Sequence, residues 1–197
     1  MCIRDRPLFR LIFRLGDVAG WLGWRSPMRS TALRQIEAGI AGDPAAWIEA
    51  TGRPPKGLGE TLAGLPAGVQ ERWFAQLFLL KPLIIITLSL FWLASGLIGL
   101  VEVEAARSVL VGRGQDATFA SFAVILGALV DIALGTAMAF RRTMPAAAIG
   151  MIAVTGFYLA AGTAMTPDLW ADPLGPFVKT IPAAMLALIA LAIKDGR

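Results

Sequence analysis

The sequence predicts an all-α protein in which a four-helix transmembrane bundle follows a short, mostly helical soluble segment. Three observations carry that expectation. Hydrophobic residues make up 56% of the chain and charged residues 16%, against about 45 to 50% and about 25% in soluble domains. The charge is unevenly placed: the chain up to and including Lys81 holds 11 Lys/Arg and 7 Asp/Glu, whereas the longer stretch from Pro82 to Ile193 holds 5 and 6. Four apolar runs, at residues 82–101, 119–140, 146–165 and 177–193, each approach the roughly 20 residues that cross a bilayer.

Met1 to Arg6, MCIRDR, resembles the adapter-derived leader found at the start of truncated reading frames, which makes these residues non-native and implies a longer natural protein. The alternative is an ordinary basic N-terminus. A signal peptide does not fit, because Arg10, Arg14 and Asp17 interrupt the apolar run PLFRLIFRLGDVAGWLGW and no small-residue cleavage site follows. Those three residues are spaced i, i+4 and i+7 and share a helical face opposite Leu8, Phe9, Ile12, Phe13 and Leu15. The pattern suits a helix lying in a membrane surface and equally the edge of a soluble domain docked on a missing half.

From Ser26 to Pro66 the signals are of short helices joined by turns. Ser30 is the expected N-cap of a helix carrying Leu33, Ile36 and Ile40 and ending at Gly42. Asp43 caps a second helix that has Pro44 at its first position and closes at Gly52. GRPPKGLG, from Gly52 to Gly59, reads as a loop. Glu37, Glu49 and Glu60 read as solvated helix charges rather than catalytic acids.

Ala67 to Leu80 forms an amphipathic lead-in helix with Val69, Trp73, Leu77 and Leu80 on one stripe. Trp73 suits the headgroup boundary, Lys81 anchors the point of entry, and Pro82 opens the first span. Between the first and second spans, Glu102 to Thr118 has room for a short helix before the break at Gly112 to Gly114. The last loop, TPDLWADPLGPF, is dense in turn formers and sets Trp170 at the second interface. Arg72, Lys81, Arg141, Arg142, Lys194 and Arg197 flank the spans on one side, against Arg107 and Arg113 on the other, with Lys179 just inside the last helix. That excess puts both termini in the cytoplasm.

The chain has no histidine, and Cys2 is its single cysteine. Disulfides, histidine-based metal or haem sites and Ser-His-Asp chemistry are thereby excluded within it. The net charge of +4 belongs to membrane-flanking residues, and without a basic cluster interleaved with aromatics, nucleic acid is not an expected partner.

One ionisable residue sits deep in a span. Asp131 lies near the middle of the second run, where a charge costs about 2.5 to 3.5 kcal/mol on insertion scales, so it should face protein. Thr155 of the third span lies at the same depth, Tyr158 is one turn further out, and Ser89 and Ser95 of the first span bracket that level. These five residues form the candidate intramembrane polar site, which takes a proton or the head of a lipophilic ligand. The alternative is a hydrogen bond that locks two helices together. Gly127, Gly135, Gly150, Gly156 and Gly162 read as close-packing positions, and no catalytic constellation or metal site is expected.

Five stretches, LGWRSPMRSTALRQ, GDPAAW, QERWFAQLFLLKPL, GALVDIALG and LWADPLGP, together resemble the DoxX-like membrane family, in the form that follows an NAD-dependent epimerase or short-chain dehydrogenase domain in bacterial fusion proteins. The resemblance implies that residues 7–66 are the C-terminal remnant of the dehydrogenase-like domain and that residues 67–197 are a multi-pass DoxX-like domain of a bacterial inner membrane. It implies a module that anchors an NAD(P)-dependent oxidoreductase and presents a lipophilic, quinone-like molecule to it. The implied partners are the bilayer, the missing domain and that molecule. NAD(P) is implied only for the upstream domain, since this chain lacks a glycine-rich dinucleotide turn and a Tyr-x-x-x-Lys pair. A small transporter or proton-coupled permeation module centred on Asp131, and a purely structural anchor, stay open beside it.

Overall fold

The computed structural model describes residues 6–39, 41–66, 68–173 and 175–195. The leader residues 1–5 with Cys2, and also Ile40, Ala67, Leu174 and Arg197, lie outside the described residues. Among those described, the chain is helical throughout and has no strand. It divides into two compact units, Met1–Gln76 and Leu77–Arg197.

In the first unit, α1 (Arg6–Trp21) is followed by α2 (Ser30–Ala38), α3 (Ala45–Thr51) and α4 (Leu58–Ala63). The segment leading into α2 passes close over α1 because Gly16 has no side chain: a Cβ there would lie 1.6 Å from the Met28 carbonyl oxygen. Ser30 opens α2 but does not cap it. Its backbone N–H donates to Asp17 Oδ1 at 3.2 Å, so the cap comes from the preceding helix. α2 also stops short of Gly42, at Gly39, whose φ of +90° glycine adopts without strain. α3 starts one residue later than expected, with Pro44 at its N-cap rather than its first position. The Ala45 N–H still donates to Asp43 Oδ1 at 3.0 Å, and Gly52 closes the helix in the left-handed region as expected. The loop expected to reach Gly59 ends earlier, where α4 begins.

α5 (Val69–Val101) is one helix of 33 residues with Pro82 inside it. A lead-in helix broken from the first span at Pro82 is therefore corrected: proline withholds one N–H, and so long a helix tolerates that loss where neighbouring groups compensate.

In the second unit, α5 from Leu77 onward is joined by α6 (Val103–Val111), α7 (Ala117–Ala139), α8 (Met144–Met165), a 3-10 turn (Pro167–Trp170) and α9 (Pro176–Ala192). α7 packs against α6 and α8, and α8 against α9. The core is filled by Leu88, Met138, Met144 and Met151, with Ala148, Ala187 and Ala190 allowing close approach. α7 also crosses α5 tightly, since a Cβ on Gly96 would meet the Ala128 carbonyl at 2.5 Å and one on Gly135 the Leu93 nitrogen at 2.8 Å. Gly150 and Gly162 face Leu134 and the Phe177 ring in the same way, but Gly156 faces open space, so it is not a packing position.

Large apolar side chains, among them Leu90, Phe91, Ile98, Phe122, Leu126, Leu129, Phe157 and Leu188, point outward. A soluble monomer rarely leaves so extensive an apolar surface uncovered. α5, α7 and α8 are long and apolar enough to cross a membrane. α9 is apolar but has 17 residues, about 25 Å at 1.5 Å per residue, which is shorter than the other three.

Candidate functional site

Asp131 lies on the face of α7 that meets α5 and α8, and only 8% of it is exposed. Two hydroxyls from two other helices reach its carboxyl group. Ser95 Oγ of α5 donates to Oδ2 at 2.8 Å, and the Tyr158 hydroxyl of α8 donates to Oδ1 at 3.3 Å. Side chains lean toward the N-terminus of their helix, which in α8 is the end where α7 finishes. Tyr158 therefore bends back to Asp131 from a position further along the bundle. Gly127, one turn before Asp131 on α7, leaves room for it: a Cβ there would lie 3.0 Å from the Tyr158 oxygen.

These groups border a cavity of about 230 Å³, lined by Ser95 and Gly99 of α5, Ala123, Val124, Gly127, Ala128 and Asp131 of α7, and Tyr158 of α8. Its polar atoms gather at Asp131. From there the lining runs toward the α6 end of the bundle over small and aliphatic residues, so the cavity is an open, shallow one with its hydrogen-bonding groups at one end.

Two of the five expected site residues stand elsewhere. Thr155 is buried, but its hydroxyl donates to the Met151 carbonyl one turn back on its own helix at 2.7 Å and does not reach Asp131. Ser89 donates to the Gly135 carbonyl at 2.7 Å, a strap between α5 and α7 outside the cavity. Gly99 and Gly127 belong to the cavity, and their i, i+4 spacing from Ser95 and Asp131 was the available signal for them. Of the interface residues, Trp73 is exposed. Lys81 Nζ donates to the Lys194 carbonyl at 2.9 Å. Trp170 Nε1 donates to Thr163 Oγ1 at 3.0 Å and stacks edge-on against Phe177, fixing the 3-10 turn to α8 and α9.

Among the described residues, ion pairs join Asp17 to Arg29, Glu104 to Arg107 and Asp168 to Arg113, and Asp131 belongs to none. No group of three or more His, Cys, Asp or Glu among them could hold a metal ion. Tyr158 is the single tyrosine and is followed one turn later by Gly162, so the residues present do not fit NAD(P) through a Tyr-x-x-x-Lys pair. What the site offers is one carboxyl, one phenol and one alcohol at a shared point. That set can exchange a proton or hold a carbonyl or hydroxyl group.

The model of the DoxX-like family matches residues 89–188, a stretch that contains all five of these residues. No curated protein and no solved structure matches the chain.

Proposed function

Because the chain belongs to the DoxX-like family, we propose that it is a membrane-embedded module that holds the polar head of a lipophilic molecule at Asp131. The observation that carries this reading is the cavity in which Asp131, Ser95 and Tyr158 converge. Its volume of about 230 Å³ is below the usual range of roughly 300 to 1,000 Å³ for a drug-sized ligand, which suits a small head with a tail left among lipid. Asp131 and Tyr158 orient a carbonyl or hydroxyl of the head, and the open side of the cavity leaves the tail free to lie among lipid.

In this reading the module has four crossings and both termini in the cytoplasm of a bacterial inner membrane. The Lys81 to Lys194 contact supports it, because it brings the end of α9 back to the level where α5 enters the second unit. The module serves a fused NAD(P)-dependent oxidoreductase, anchoring it and supplying its quinone-like substrate. A second reading, proton-coupled permeation through Asp131, is favoured by one specific feature: the cavity extends toward the α6 end, away from the end joined to the N-terminal segment.

Two experiments separate the readings. Purified chain in lipid nanodiscs, extracted and analysed by mass spectrometry, should carry a lipophilic molecule that Gly127→Leu excludes. Proteoliposomes of the chain alone should show no proton flux above that of Asp131→Asn. Flux that depends on Asp131 would replace the binding reading with permeation, and neither binding nor flux would leave a structural anchor.

A further inference from the structure

α1 carries an apolar stripe that the other described elements of its own unit leave uncovered. At 3.6 residues per turn, Leu8, Leu11, Ile12, Leu15 and Val18 fall within an arc of about 120°. All five are exposed, from 38% at Ile12 to 60% at Leu15. α2 leaves them so because it packs on the adjacent side, where Gly16 and Gly20 meet the Met28 backbone and the Arg29 side chain. Arg10 and Arg14 lie on the opposite flank and are exposed. Residues 6–39 hold six arginines and two acids, and one of those acids, Asp17, is taken up by Arg29 and the α2 N-terminus.

We propose that this face of α1 is a peripheral membrane-binding surface, lying in the plane of a bilayer that contains anionic lipid. The aliphatic stripe enters the acyl boundary, and Arg10 and Arg14 reach up to the phosphates, the arrangement that interfacial helices share. Two features favour lipid over a protein partner. The uncompensated positive charge complements anionic headgroups. The chain also carries helices fit to cross a bilayer, so α1 is permanently tethered to a membrane and meets it at high effective concentration. This surface is separate from the Asp131 cavity, and the failure of either proposal leaves the other standing.

The test uses the full chain with Cys2→Ser, reconstituted in phosphatidylcholine vesicles with or without phosphatidylglycerol. A fluorescent label is placed at Leu11→Cys, at Leu15→Cys or, as a control on α2, at Gln35→Cys. Labels at the first two positions should be quenched by nitroxides on the lipid chains and the third by aqueous iodide. Anionic lipid should raise the docked fraction, and Arg10→Gln with Arg14→Gln should lower the docked-to-free ratio by about 25-fold in anionic vesicles, about fivefold for each arginine. Labels at positions 11 and 15 that are shielded from iodide yet untouched by lipid nitroxides would show the stripe covered by protein and overturn the proposal. So would free access of iodide in both lipid mixtures, or docking indifferent to lipid charge and to both arginines.

Discussion

Asp131 is held by one hydroxyl from each of two neighbouring helices, and that pairing separates its structural role from any chemical one. Interhelical hydrogen bonds in membranes average about 0.6 kcal/mol, so Asp131→Ala should destabilise the chain by about 1 kcal/mol in detergent unfolding. Tyr158→Phe should cost about half of that. Asp131→Asn keeps a hydrogen bond to each hydroxyl, its amide oxygen accepting from one and its NH2 group donating to the oxygen of the other. It should unfold much like the natural chain, so any function it loses belongs to the proton or to the ligand. Depth along the spans grouped Asp131 with Thr155, Tyr158, Ser89 and Ser95, which contains the three groups that meet but does not say which of the five they are. Thr155 was misplaced because equal depth says nothing of direction: a threonine within a helix satisfies its hydroxyl on the carbonyl one turn back. Ser89 differs by direction as well, its hydroxyl turned to the Gly135 carbonyl.

At the scale of elements, α7 depends on its crossing with α5 and on its first turn. Gly96→Ala and Gly135→Ala should each cost about 1 to 3 kcal/mol, because their new methyl groups meet backbone that cannot give way. Gly156→Ala, which faces open space, should be neutral or stabilising by up to about 1 kcal/mol in the same assay. The N-terminus of α7 is capped by Asp116, whose Oδ1 accepts from the Thr118 and Phe119 N–H groups at 2.8 and 2.9 Å. Those N–H groups hold its carboxyl below the ordinary value of 3.8. Its contribution is therefore complete above the unfolded value and lost as pH falls through the lowered folded one. Amide exchange at Thr118 and Phe119, corrected for intrinsic rates, should accelerate across that acidic window in the natural chain and show no such step in Asp116→Asn. The sequence showed where the three helices long and apolar enough to cross a membrane lie, because their apolar runs are long. It misled at Pro82 and Ser30, where the outcome turns on contacts with other parts of the chain that local propensity does not contain.

For the molecule as a whole, the family match and the outward-facing apolar side chains make this a membrane protein. The composition already pointed there, whereas a ligand leaves almost no compositional trace and had to be sought through Asp131. The proposed four crossings predict that single cysteines replacing Glu71 and Asp195 react with an impermeant thiol reagent from one side of the membrane, and those replacing Gly114 and Asp172 from the other. Reaction of Asp195→Cys from the same side as Gly114→Cys would remove α9 from the spanning set. The central claim, that the cavity at Asp131 seats a lipophilic molecule, is tested most directly by mass spectrometry of what leaves the membrane with the purified chain. One species with a carbonyl or hydroxyl head is expected, enriched over bulk lipid in the natural chain and lost in Gly127→Leu. Identical extracts from both, containing bulk lipid alone, would contradict it.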